Sequence, residues 1–279
     1  MKCAIFLHEG KMKIMQAAVD GLSKIFGSNN VSVLKWFEFE KAINFDICCM
    51  FGVYSETFSE ETYYRKEIIN LCRNVFVIEK GFIKRDDYLS VGWDSNVGRG
   101  RYCNKGMQHD RWNLLGVDLK PLSRGTHVVV IGQIPHDTSC QHVSLKDWCH
   151  HTISEIKKNT DKKIIFRPHP LCNASKVPYV GPEVERVFLE RDFERADVIV
   201  TFNSTTGCEA LIEGVPVYAE DVGSMVYDIA HHDLRTIDNP YFPSEEERLQ
   251  HYADLAYSQW NLAEIKKGLF WETLSRGLV

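Results

Sequence analysis

Three short stretches concentrate the side chains that can hold an anion or move a proton. In FNSTTGCEALIEGVPV, residues 202–217, the apolar run DVIVTF gives way to Asn203, Ser204, Thr205, Thr206 and Gly207 where a helix should begin. Free backbone N–H groups and hydroxyls at the positive end of a helix suit an anion. An N-cap serving only the backbone accounts for one such hydroxyl comfortably and for three poorly. Glu209 lies in the first turn, placed to accept hydrogen bonds from a ribose or sugar hydroxyl, and Gly214 should end the helix before VPVYA returns to a strand.

The second stretch, IIFRPHPL (164–171), ends a core-like run on Arg167 and clamps His169 between Pro168 and Pro170. Proline fixes its own backbone and restricts the residue before it, so His169 is held extended, while Arg167 offers a planar fork of donors. A solvated loop is the plainer alternative. The third, THVVVIGQIPHDTS, leaves its strand at Gly132 and Gln133 and presents His136, Asp137, Thr138 and Ser139. Asp137 is placed to orient a sugar, act as a base, or cap a turn.

The elements that must carry these loops alternate between strand and helix. KCAIFLHEG, VSVLKWF, FDICCMFG and NVFVIE read as short buried strands, with KMKIMQAAVDGLSKIFG as a helix ending at Gly27. THVVVIGQ begins a second α/β unit, in which Ser144 with Asp147 caps the helix SLKDWCHHTISEIKKNT. Alternation of this kind predicts largely parallel sheets. The strands before Arg167 and Asn203 are expected to be neighbours, bringing both loops to the carboxyl edge of one sheet, where ligands bind in open α/β folds. The expected division is 1–125, 126–260 and a helical tail 261–279. Ser244 with Glu247 caps a last long helix, with Leu249, Tyr252, Ala253, Ala256 and Trp260 along one face.

Composition narrows the classes. With 44% apolar and 25% charged residues in 279, the chain is globular rather than disordered or fibrous. No run approaches the ~20 apolar residues of a membrane span, and the start MKCAIFLHEG lacks a signal-type hydrophobic region, so a cytoplasmic location is expected. Nine scattered cysteines without a CxxC pair fit reduced thiols, and Cys149, His150 and His151 point in different directions on a helix, so no metal site is expected. Net charge is −5, yet residues 80–125 carry nine Lys or Arg against five Asp, leaving this stretch at +4 and the remainder at −9. The same stretch holds Tyr88, Trp93, Tyr102 and Trp112 among Arg99, Arg101, Lys105 and Arg111, and from 86 to 126 it shows no clear period. Basic charge interleaved with aromatics suits a phosphate backbone and an unstacked base; aromatics packed in a core under a basic surface are the alternative.

Together, GQIPHD, RPHP and NSTTGCEAL followed by GVPV resemble the glycosyltransferases with two facing Rossmann-like domains, the GT-B architecture. The likeness is to the capsule and lipopolysaccharide Kdo-transferase group and to phage-encoded enzymes that glycosylate hydroxymethylated bases in DNA, whose tail QWNLAEIKKGLFWETL resembles. It covers about 126–225 well. The resemblance implies a nucleotide-sugar donor, a UDP- or CMP-sugar, held by the second domain around Gln133, Arg167, His169, Asn203, Ser204, Thr205, Thr206 and Glu209, with no prosthetic group. The acceptor should enter from the first domain, and Trp93, Asp94, Arg99, Arg101 and Arg111 are the candidates for holding it. Asp137 leads as base, with Glu9 and Asp94 behind it, and a protonated His169 would assist the leaving phosphate. The reading this favours is transfer of glucose or arabinose to hydroxymethylcytosine in phage DNA, in the host cytoplasm. Transfer of Kdo or another sugar to a glycan is the first alternative, and a nucleotide-binding module without catalysis the second.

Overall fold

A computed structural model describes residues 1–53, 60–95, 97–135, 137–140, 142–172, 178, 180–187 and 193–279; His136 lies outside this set. In chain order the elements are β1 (Cys3–Phe6), α1 (Met12–Phe26), β2 (Val31–Leu34), β3 (Ile47–Phe51), α2 (Glu60–Leu71), β4 (Val75–Lys80), β5 (Tyr88–Trp93) and α3 (Asp110–Leu115). Next come β6 (His127–Ile131), α4 (Leu145–Asn159), β7 (Lys163–Arg167), β8 (Glu185–Arg186), β9 (Ala196–Thr201), α5 (Thr206–Ile212), β10 (Val217–Ala219) and α6 (Glu245–Ala256). The chain closes with β11 (Gln259–Asn261), α7 (Leu262–Lys267) and α8 (Trp271–Leu274).

These elements form two compact units, Met1–Gly116 with Tyr252–Val279, and Val117–His251. The division expected at 125/126 falls at 116/117, and residues 252–279, assigned to the end of the second domain and a helical tail, belong to the first unit. The reason is β11, which interrupts the expected long helix after Ala256 and pairs antiparallel with β5. Gln259 fixes it there, accepting from the Phe82 and Ile83 N–H groups at 2.9 and 3.0 Å and donating to the Ile83 carbonyl at 3.0 Å. Helix α7 then lies so close to α1 that a Cβ on Gly21 would stand 2.1 Å from the Ile265 carbonyl oxygen, which only glycine permits.

The sheet of the first unit runs β11-β5-β4-β3-β1-β2, with β2, β1, β3 and β4 parallel and β5 and β11 antiparallel. Strands buried on both faces read as unbroken apolar runs, as CAIF and ICCMF do. Alternate residues feed two cores: Cys3, Ile5, Ile47 and Cys49 meet Met15, Leu22 and Ile265, while Ala4, Phe6, Cys48 and Met50 meet Trp36, Ile68 and Cys72.

The sheet of the second unit is entirely parallel, in the order β10-β9-β6-β7-β8. The chain moves outward from β6 through β7 to β8, then returns to the other side of β6 with β9 and β10. Strand direction of travel therefore reverses between β6 and β9, which opens a crevice beyond their carboxyl ends. Strands β7 and β9 flank β6 rather than each other, so the Arg167 and Asn203 loops stand two strand spacings apart, about 10 Å. Ser144 caps α4 as expected, accepting from the Asp147 N–H at 3.3 Å, and Leu145, Trp148, Ile153 and Ile156 seat that helix on Val128, Val130, Phe166 and Val200.

Candidate functional site

Four loops meet at the carboxyl edge of the second sheet, after β6, β7, β9 and β10. The exit from β6 is tight: a Cβ on Gly132 would stand 3.0 Å from the Phe166 ring, and the Gly132 N–H extends the ladder to the Arg167 carbonyl at 2.8 Å. The next residue, Gln133, crosses to β9. Its amide donates to Asn203 Oδ1 at 2.8 Å while its Oε1 accepts the Asn203 backbone N–H at 3.0 Å.

Asn203 is buried, 1% exposed, and its Nδ2 donates to the Ser139 carbonyl at 2.8 Å and to Asp221 Oδ1 at 3.1 Å. Both Nδ2 hydrogens and the carbonyl oxygen are thereby engaged. Gln133 and Asn203, expected as donor ligands, lock the β6 and β9 loops together at the floor of the crevice. Above that floor the Ser204 N–H is held by Thr201 Oγ1 at 2.9 Å, and Ser204 Oγ donates to Thr206 Oγ1 at 3.2 Å while accepting the Thr206 N–H at 3.2 Å. Ser204 and Thr205 remain half-buried, Thr206 is buried, and Glu209 is half-buried one turn into α5.

Asp137 is exposed at the head of the 3-10 turn Thr138–Cys140. Its Oδ1 accepts from both the Ser139 N–H at 2.9 Å and the Ser139 hydroxyl at 2.7 Å, so one carboxylate oxygen caps the turn. Arg167 ends β7 half-buried, and His169 follows it half-buried with Nδ1 accepting the Leu171 N–H at 3.1 Å. That bond occupies Nδ1 as an acceptor and makes Nε2 the ring nitrogen through which His169 would donate.

Two side chains at this edge escaped the sequence reading. Asp221, just beyond β10 and 8% exposed, accepts from Asn203 and from the Gly223 N–H at 2.7 Å, and hydrogen-bonds His142 Nε2 at 2.8 Å. His142 reaches it from the loop after β6, lying 5.5 Å from the Phe202 ring. An acidic residue ending a strand of a parallel sheet was the available signal for Asp221; His142 had none.

The residues expected to hold an acceptor lie elsewhere, in the first unit. Trp93 is fully buried, its Nε1 donating to the Leu274 carbonyl at 2.8 Å, and Tyr102 and Trp112 are 7% and 4% exposed. Arg111 stacks 3.8 Å over Trp260 and grips Glu264 with both Nη atoms, at 2.9 and 3.2 Å. Arg101 pairs with Asp94 at 3.0 Å and donates to the Gly277 carbonyl. Arg99 is exposed, ending the 3-10 turn Val97–Arg99. Because β5 is antiparallel to β4, Trp93 pairs with Phe76 at the start of β4, and Asp94, Arg99 and Arg101 sit at the amino edge of the sheet. Glu9, exposed after β1, sits at the opposite, carboxyl edge beside the reversal between β1 and β3. Residues 80–125 are therefore no open basic loop but β5, a turn and α3, with three of the four aromatics spent on the core. Among the described residues no group of three His, Cys, Asp or Glu side chains is arranged to hold a metal ion.

The fold is shared with two Kdo transferases. The KpsC beta Kdo 2,7 transferase of Thermosulfurimonas dismutans is 15% identical, with a TM-score of 0.60 over 96% of this chain and 98% of its own. The KpsC beta Kdo 2,4 transferase of the same organism is 16% identical, with a TM-score of 0.55 over 97% and 98%. No protein-family model matches the sequence, and no curated protein matches it. At this identity the likeness carries the fold: two α/β units of the GT-B glycosyltransferase type. Among the described residues no helix is long and apolar enough to cross a membrane.

Proposed function

We propose that the chain is a glycosyltransferase that takes its sugar from a nucleotide-sugar donor bound at the carboxyl edge of the second unit, with Kdo as the sugar and a glycan hydroxyl as acceptor. The observation that supports this most is the fold likeness to two Kdo transferases over nearly the whole of each chain, joined to a crevice at the strand-order reversal lined by Arg167, His169 and Ser204–Thr206. The DNA reading loses its physical basis with the burial of Trp93, Tyr102 and Trp112, since a base cannot stack on a ring already in the core.

In this reading the donor spans the roughly 10 Å between the β7 and β9 loops across β6. Arg167 forks onto the phosphate, His169 donates from Nε2, and the hydroxyls of Ser204 and Thr205 complete the cradle. The bond between the anomeric carbon and the phosphate oxygen breaks as an acceptor oxygen bonds that carbon. The electron pair leaves on the phosphate, where donors fixed in advance stabilise it, and the acceptor proton passes to Asp137 through the oxygen that does not cap the turn.

The test is to incubate the purified chain with CMP-Kdo, UDP-glucose and UDP-arabinose, each with a Kdo-terminated oligosaccharide or with hydroxymethylcytosine-containing DNA, and to weigh the products. A mass gain of one Kdo on the oligosaccharide is expected. Mass gain on DNA alone would overturn the glycan assignment, and donor binding with no consumption would reduce the chain to a nucleotide-binding module.

A further inference from the structure

The sequence motifs leave His142 and Asp221 without a role, yet they form an imidazole–carboxylate pair in the crevice wall. Asp221 Oδ1 receives two hydrogen bonds from groups that can only donate there, the Asn203 amide at 3.1 Å and the Gly223 backbone N–H at 2.7 Å. Two donors on one oxygen fix the orientation of this 8% exposed carboxyl. His142 Nε2 stands 2.8 Å from Oδ2, the oxygen those two donors leave for the ring. The same Asn203 that supports Asp221 is tied to Gln133 and to the Ser139 carbonyl. The His142 ring is thus braced from three strand ends, with Phe202 at 5.5 Å along one side and Trp148 packing on Phe202 at 5.7 Å behind.

A surface histidine needs no such brace. Its side chain is 48% exposed, while the carboxylate that aims it is almost wholly buried. A ring anchored through Nε2 directs Nδ1 to the opposite side.

Resting on the nucleotide-sugar reading above, we propose that His142, oriented by Asp221, is a donor-binding residue that gives an Nδ1–H hydrogen bond to an oxyanion of the donor. Two oxyanions fit this chemistry, the phosphate next to the nucleoside and the carboxylate of an acidic sugar. The ring then stands between Asp221 behind and the ligand oxyanion in front, hydrogen-bonded to each. Arg167, His169 and Asp137 are the other charged or titratable groups on the loops of the same edge, and Arg167 shares the anion. Asp221 is a positioning residue, acting through His142.

The experiment titrates the full chain and its His142→Ala variant with cytidine, CMP, uridine, UDP and CMP-Kdo by calorimetry. Loss of a charge-assisted hydrogen bond to the phosphate should weaken the bound nucleotide, CMP or UDP, about tenfold or more while leaving its nucleoside unchanged. If CMP is unchanged and CMP-Kdo alone weakens, the carboxylate is the partner. Equal affinities for every ligand in His142→Ala and the parent chain would overturn the proposal. Failure of the parent chain to bind any nucleotide or nucleotide sugar would instead overturn the donor reading on which it rests. Asp221→Asn, which keeps an oxygen for Asn203 and Gly223 but removes the negative charge behind the ring, should reproduce part of the phosphate-specific loss with melting unchanged. A loss shared equally by nucleoside and nucleotide would mark a merely structural role.

Discussion

Gln133 and Asn203 hold each other by two hydrogen bonds, side chain to side chain at 2.8 Å and backbone N–H to side chain at 3.0 Å, across the point where the strand order reverses. Asn203 is 1% exposed, so removing the Gln133 side chain takes the amide partner from its buried Oδ1 and backbone N–H together. A double-mutant cycle on Gln133→Ala and Asn203→Ala should therefore show coupling of about 1–2 kcal/mol in denaturant unfolding. Additive losses would place the two side chains in separate roles, with Asn203 available to a ligand.

Arg167 ends β7 at the crevice, and its substitution separates binding from folding. Arg167→Ala should raise the donor KM tenfold to a hundredfold, about 1.5–3 kcal/mol for a lost hydrogen bond to a charged group, with circular dichroism unchanged. Arg167→Lys should recover only part, because an ammonium cannot fork onto two phosphate oxygens. An unaltered KM in the alanine variant would remove Arg167 from the donor site.

Asp137→Asn is a clean probe of the base because the turn survives it. The amide oxygen still accepts the Ser139 N–H and hydroxyl that Oδ1 accepts now, so the 3-10 turn keeps its cap. Only the proton-accepting carboxylate goes. Donor binding should stay within about twofold while transfer falls by a factor of 10² or more, the usual contribution of general base catalysis. Full activity would exclude Asp137 as the base.

The strands and most helix ends were legible because local chemistry decides them. CAIF and ICCMF are apolar throughout since both faces are buried, Gly27 ends α1 with φ at +86°, and Ser144 caps α4. What was not legible depends on chain order in space. The sequence alone places RPHP and NSTT on one sheet edge but not on opposite sides of β6, because the crossover rule fixes handedness and not which side a later strand joins. The same limit hid β11: Trp260 continues the helical spacing of Leu249, Tyr252, Ala253 and Ala256, and only pairing with β5 turns it into a strand residue. Basic and aromatic residues at 93–112 misled for a related reason, since composition does not reveal that each ring points inward while its charged neighbour pairs with a carboxylate.

At the far edge of the second sheet, Asp197 is 3% exposed and meets Arg124 Nε at 2.6 Å and Lys162 Nζ at 3.0 Å. Burial works to raise its carboxyl, but hydrogen bonds and charge from Arg124 and Lys162 outweigh that and hold it below the usual carboxylate range. A carboxyl depressed in the folded state contributes stability that is fully present above its unfolded pKa and is lost as pH falls through the folded value. Melting temperature should therefore decline from about pH 4 downward, near the ordinary aspartate value, and Asp197→Asn should flatten that decline while lowering stability at neutral pH. A parallel acid profile in parent and variant would show that other carboxyls govern it.

Arg111 decides between two accounts of the basic, aromatic stretch. Its guanidinium donates to the Ala256 and Gln259 carbonyls at 3.1 and 2.9 Å besides gripping Glu264, and those two side chains are 11% and 19% exposed. Glu264 also closes the capping box at Asn261, so the pair joins α3 to β11 and the start of α7. Removing Arg111 leaves a carboxylate largely out of water and strips the Trp260 face of its cation, changes that cost about 3 kcal/mol or more where a buried pair is broken from one side. Arg111→Ala should then lower the melting temperature by several degrees and release the C-terminal segment to proteolysis, and Arg111→Ala with Glu264→Gln should recover part of the loss. An acceptor-binding arginine would behave oppositely, with melting unchanged and the acceptor KM raised.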